Sequence, residues 1–130
     1  MIQKFIIVDD ESVNNLLCVI IIKDVFPAAD IQTFTDPESA LRYIQSAYAG
    51  KNGSDTVLLL DINMPTLTGW EFVDALEKFN AGIIKKLKVY MLSSSIDHRD
   101  KERAHNWKSI LDFIEKPLTS ENVKMVANGV

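Results

Sequence analysis

The run Val57-Leu58-Leu59-Leu60 ends on Asp61, and a turn follows through Asn63, Pro65 and Gly69. An unbroken apolar run bounded by turn residues reads as a strand buried on both faces, as in a parallel sheet. Asp61 is thereby set at the C-terminal end of that strand, which in open α/β sheets is the end where ligands and chemistry gather. What this chain can be turns on what surrounds Asp61.

The same pattern occurs once earlier. Phe5-Ile6-Ile7-Val8 is a short β-branched run that stops at Asp9-Asp10-Glu11, a second buried strand with acids at its C-terminal end. Ser12 or a neighbouring acid can cap the helix that follows, where Val13, Leu17, Ile21 and Val25 recur every fourth residue until Phe26-Pro27. Ile31 to Phe34 reads as the next strand, and Asp36-Pro37-Glu38 opens a helix with Ala40, Leu41 and Ile44 inward. A polar loop, Ala49 to Ser54, leads to the central strand. Beyond the turn, Phe72, Val73, Leu76 and Phe79 mark a helix expected to end near Asn80-Ala81-Gly82. Lys88 to Leu92 is the fourth strand and ends on Ser93-Ser94-Ser95. A charged helix is expected from about Asp97 to Trp107, a fifth strand from Leu111 to Ile114 ending at Glu115-Lys116-Pro117, and a short last helix from about Ser120.

Five strand-like runs alternating with five helix-like runs imply βαβ units, hence a parallel sheet between helices and one domain over residues 1–130. Fold analogy supplies the doubly wound strand order 2-1-3-4-5, in which strands one and three flank the point where the winding reverses. At 47% apolar and 25% charged residues the composition is that of a globular chain, and a net charge of −4 argues against a direct nucleic-acid footprint. Cys18 is the single cysteine, which rules out an intrachain disulfide and suits a cytoplasmic setting. The longest apolar run, Leu16 to Ile22, is too short to cross a bilayer, and the N-terminus leads directly into a strand, so neither membrane insertion nor a signal peptide is expected.

Strand C-termini thus carry Asp9, Asp10, Asp61, Ser93 and Lys116, which this architecture brings to one rim. Close carboxylates repel and do not all stay ionised unless a cation joins them. Hard oxygen ligands suit Mg²⁺, a lysine and a hydroxyl suit a phosphoryl group, and a carboxylate can act as its acceptor. The rim reads as a site for phosphorylating Asp61.

These motifs in this order resemble the response-regulator receiver domain of two-component signalling, similar to the single-domain chemotaxis type. They are Asp9-Asp10 after a hydrophobic strand, Asp61-Ile62-Asn63-Met64-Pro65 with Gly69 beyond it, Ser93-Ser94, and Lys116-Pro117. The resemblance covers essentially the whole chain. It implies a flavodoxin-like (βα)5 three-layer sandwich, with Asp61 as phosphoacceptor, Asp10 as direct Mg²⁺ ligand, Asp9 holding metal-bound water and the Asn63 carbonyl completing the shell. It further implies Lys116 as the phosphate-binding lysine, a cis peptide before Pro117, Ser93 as hydroxyl switch and Phe113 as aromatic switch. The donor would be a phosphohistidine on a sensor histidine kinase or phosphotransfer protein, and a changed surface would meet a downstream protein target. With no output domain after Val130, the domain would act alone or be part of a longer chain.

Plainer readings stand beside these. Asp9-Asp10-Glu11 could be helix-capping acids, the three serines a polar loop, Lys116-Pro117 an ordinary strand exit, Phe113 a core residue, and His98 and His105 a solvated face. A haloacid-dehalogenase-like phosphatase would want a second aspartate where Asn63 stands. A pseudo-receiver scaffold would not need Asp9, Asp10, Asp61 and Lys116, and a flavin-binding relative would not place three acids after strand one. The first helix is apolar all round. With Leu17, Cys18, Ile21, Ile22 and Val25 on the sheet, Asn15, Leu16, Val19 and Ile20 are left as a partner-docking patch, the alternative being further burial.

Overall fold

The computed structural model describes residues 1–48, 54–95 and 98–128. The polar loop expected from Ala49 and the helix start expected at Asp97 fall on residues outside that set. Five strands form one parallel sheet: β1 (Lys4–Val8), β2 (Asp30–Phe34), β3 (Thr56–Asp61), β4 (Leu87–Ser93) and β5 (Ile110–Glu115). Their order, β2-β1-β3-β4-β5, is the expected one. The helices are α1 (Ser12–Val25), α2 (Pro37–Ala47), α3 (Gly69–Glu77), α4 (Ala81–Lys86), α5 (His98–Ala104) and α6 (Ser120–Ala127).

Alternation along each central strand divides the core in two. Ile6, Val8, Leu58, Leu60, Val89 and Met91 face α2 and α3, whereas Phe5, Ile7, Val57, Leu59, Tyr90 and Leu92 face α1 and α6. Every residue of β3 is buried, which is why it reads as an unbroken apolar run rather than an alternating one. The edge strand β2 lies largely exposed and reads as polar.

Two expectations fail. Asn80 does not end α3: its side chain accepts from the Gly82 N–H at 2.7 Å and caps a separate helix, α4, which makes six helices among the described residues instead of five. Asparagine before glycine serves either a helix end or a helix start, and at six residues α4 is far too short to be stable by itself; the burial of Ile83 in the core settles the choice. The second failure concerns part of the face of α1. Cys18 and Ile22 are buried and Ile21 and Val25 pack partly against the core as expected, but Leu17 is exposed and Asn15 is buried instead. A helix apolar all round offers no polar stripe from which its orientation can be read.

The turn after β3 is held very close to the sheet. Ile62 N–H donates to Leu92 C=O at 3.1 Å, and Gly69 N–H donates to Ile62 C=O at 2.8 Å. A Cβ on Gly69 would meet the Asp61 carbonyl oxygen at 2.8 Å, Met91 Cε at 2.8 Å and Ile62 Cα at 2.9 Å. Two of the three obstacles are backbone atoms and cannot turn aside. Gly69→Ala is therefore expected to lower stability by about 1–3 kcal/mol, read as a reduced urea midpoint with an unchanged slope; an unshifted midpoint would show that this approach is not tight.

Candidate functional site

The C-terminal ends of β1, β3, β4 and β5 meet at one rim. Adjacent pairing of β1 with β3 brings Asp9 beside Asp61. The Lys116 N–H donates to Ser93 C=O at 2.8 Å, which draws the exit of β5 against the exit of β4. Lys116 Nζ then lies 2.8 Å from Asp9 Oδ2 and 3.4 Å from Asp61 Oδ1, joining positions 107 and 55 residues apart in the chain. The peptide between Lys116 and Pro117 is cis.

Asp9 and Asp61 are buried, and Asp10 is exposed at the mouth. Carboxylate oxygens of all three lie within 4.8 Å of one another. Three carboxylates and one ammonium leave the rim negative, and its all-oxygen donor set is the kind that hard cations such as Mg²⁺ take. Asp9 Oδ1 accepts from the Glu11 N–H at 3.0 Å, and Asp61 Oδ1 accepts from the Asn63 N–H at 3.3 Å. Ser93 is buried and turned to its own loop, its hydroxyl donating to Ser95 C=O at 2.8 Å.

Burial, together with the charge of Asp9, pushes the Asp61 carboxyl up to about 6, against a smaller lowering by Lys116. Burial alone would depress the Lys116 ammonium, but its bond to Asp9 and the charge of Asp61 outweigh that, and the net shift is upward. Cys18, on the buried face of α1, is pushed up to about 11 by burial and by Asp9 and remains a neutral thiol.

Of the residues singled out from sequence, Asp9, Asp10, Asp61, Asn63, Ser93 and Lys116 sit together at the rim. Phe113 lies apart from the carboxylates, half-buried, with its ring 6.1 Å from that of Trp70. The proposed patch on α1 needs correction. Asn15 is only 5% exposed, and its amide donates to the carbonyls of Asp9 and Phe34 at 3.1 and 3.2 Å. Asn15 therefore braces the strand ends beneath the site. The sequence signal was its spacing, since Asn15, Cys18 and Ile22 share one helical face. Val19 is partly buried against the core. The exposed stripe is Val13, Leu16, Leu17 and Ile20, each between 49% and 65% exposed. His98 is exposed and pairs with Glu102 at 3.0 Å, in keeping with a solvated face.

The sequence matches the Response regulator receiver domain family over residues 5–128, and the chain belongs to that family. A two-component response regulator from Cytophaga hutchinsonii superposes at a TM-score of 0.88 with 29% identity, covering 98% of this chain and 96% of that one. A response regulator receiver protein from Dyadobacter fermentans gives 0.86 and 26%, covering 95% and 93%. Chemotaxis protein CheY4 of Vibrio cholerae shares the fold at a TM-score of 0.75 and 23% identity, covering 100% and 99%. Among curated proteins, the two-component response regulator ORR1 of Oryza sativa subsp. japonica is 24% identical over 129 residues, 98% of this chain and 54% of that protein. The chain spans about half the length of that relative. Receiver domains are signalling switches that bind Mg²⁺ at an acidic pocket and are phosphorylated on an aspartate, and the Asp9, Asp10 and Asp61 cluster fits both. Among the described residues no helix is long and apolar enough to cross a membrane.

The raised Asp61 carboxyl has a pH consequence in the metal-free protein. Its folded value, about 6, lies above its ordinary value of 3.8, so its contribution to stability is fully present below 3.8 and is lost as pH rises through about 6. With chelator present, the urea midpoint of the wild type should fall more between pH 5 and pH 7 than that of Asp61→Asn. Equal slopes for the two proteins would show that Asp61 titrates normally.

Proposed function

We propose that Asp61 accepts a phosphoryl group from a phosphohistidine on a sensor histidine kinase or histidine phosphotransfer protein, and that the change redirects a surface toward a downstream protein target. The observation that carries the reading is the convergence of a buried Asp61 with Asp9, Asp10 and the Lys116 ammonium at one sheet rim. In the transfer the phosphorus–nitrogen bond to the donor imidazole breaks as a bond to an Asp61 carboxylate oxygen forms. The nucleophile is the ionised carboxylate of Asp61, a form that burial disfavours and the Lys116 ammonium favours.

Asp9, Asp10, Asp61 and the backbone carbonyl of Asn63 would hold Mg²⁺, with Asp10 as direct ligand and Asp9 holding metal-bound water. When bound, the ion supplies positive charge to the phosphoryl oxygens. Lys116, already 3.4 Å from Asp61 Oδ1, is placed to accompany the incoming phosphoryl group. Ser93 would leave Ser95 for a phosphoryl oxygen, and Phe113 would follow into the space that the loop vacates. This is a shift between two arrangements of one chain, biased by contacts that only the phosphorylated carboxylate can make.

The donor is read as docking on the exposed stripe of α1, where Leu16 is 58% exposed and Leu17 and Ile20 line a cleft of about 540 Å³ that reaches Lys116 and Pro117. A phosphohistidine donor is consistent with a cytoplasmic setting.

Incubation with acetyl phosphate and Mg²⁺ should add one phosphoryl mass to the wild type and none to Asp61→Asn, while Lys116→Met should slow the gain by about 10²-fold. Equal gain in wild type and Asp61→Asn would sink the reading. Leu16→Glu with Ile20→Glu should slow transfer from a cognate phosphohistidine protein by about tenfold or more and leave the acetyl phosphate reaction unchanged; unaltered protein-to-protein transfer would remove the role of α1.

A further inference from the structure

Trp70 follows Gly69 directly, and Gly69 is pressed against the backbone of Asp61 and Ile62. Among the described residues the buried Trp70 ring meets two other aromatic rings and one guanidinium. It stacks on Trp107 with centroids 5.2 Å apart and an interplanar angle of 25°, it lies 6.1 Å from Phe113, and the Arg103 guanidinium sits 4.8 Å above it. Arg103 also reaches the Trp107 ring at 6.0 Å. Arg103 belongs to α5 and Phe113 to β5, and Trp107 lies between these elements. One ring thus ties the turn beside Asp61 to three points on the face formed by α5 and β5.

The stack occurs together with Ser93 bonded to Ser95 and Lys116 bonded most closely to Asp9, the arrangement that the proposed function assigns to the unphosphorylated chain. From this we infer that Trp70 is a positioning residue for the switch, and that the Arg103–Trp70–Trp107 stack is a latch holding α5 and Phe113 in the unphosphorylated setting. The inference rests on the reading of Asp61 as phosphoacceptor and adds the residues that carry its state to the α5–β5 face. Coupling of this kind is reciprocal. If occupying Asp61 loosens the latch, loosening the latch must favour occupation of Asp61.

The exposed Arg103 allows the latch to be weakened without opening the core. Affinity for beryllium fluoride, a phosphoryl mimic, is measured by calorimetry with Mg²⁺ on the full chain and on Arg103→Ala, Arg103→Lys and Lys101→Ala. A cation over an aromatic ring is strong enough to predict binding about threefold to tenfold tighter in Arg103→Ala. Arg103→Lys, which keeps a cation, should lie closer to wild type, and Lys101→Ala, which removes a charge from the same helix outside the stack, should match it. Unchanged or weaker binding in Arg103→Ala overturns the latch, as does equal tightening in Lys101→Ala. If the wild type does not bind the mimic at all, the reading of Asp61 falls and the coupling falls with it.

Discussion

The site depends on one ammonium. Lys116 reaches two buried carboxylates, 2.8 Å from Asp9 and 3.4 Å from Asp61, and is their nearest compensation in a setting where unpaired charges are expensive. The balance is incomplete, because Asp10 brings a third carboxylate to the mouth. The upward shift of the Asp61 carboxyl comes first from its burial and then from the charge of Asp9, which Lys116 offsets only in part. A rim left negative in this way, with an all-oxygen donor set, is the kind that a hard cation such as Mg²⁺ takes.

The rest of the fold keeps these groups in place. Strand pairing places Asp9 beside Asp61, the bond from Lys116 to Ser93 closes β5 onto β4, and Asn15 ties the ends of β1 and β2 from below. None of these contacts is on a long loop. Gly69 then fixes α3 so near Asp61 that Trp70 begins at the site and ends against Trp107 and Phe113. Under the proposed coupling, these closely packed steps are what would link the carboxylate to the α5–β5 face, because packed interiors shift between discrete arrangements.

Much of this was legible in the amino-acid order. The runs ending at Asp9, Asp61 and Ser93 were readable because strands buried on both faces stand out as short apolar runs, and a polar residue at the end of one is conspicuous; β5 is a partly exposed edge strand, and there Lys116-Pro117 was the signal. Asn15 was misread because the stretch that follows it, Leu16 to Ile22, is apolar on every side of the helix, so its amide looked like a polar position at an interface. Helix α4 was missed because Asn80 and Gly82 signal a helix end as readily as a helix start.

The sequence by itself determined the five strands, five of the six helices among the described residues, their succession and the chemical types gathered at strand ends, since these follow from local periodicity and from where apolar runs stop. Only the tertiary structure decided which side of α1 faces water, which carbonyls Asn15 serves, and that Trp70, Arg103, Trp107 and Phe113 form one cluster. Those outcomes depend on distances between parts of the chain far apart in order, and no local pattern encodes such distances.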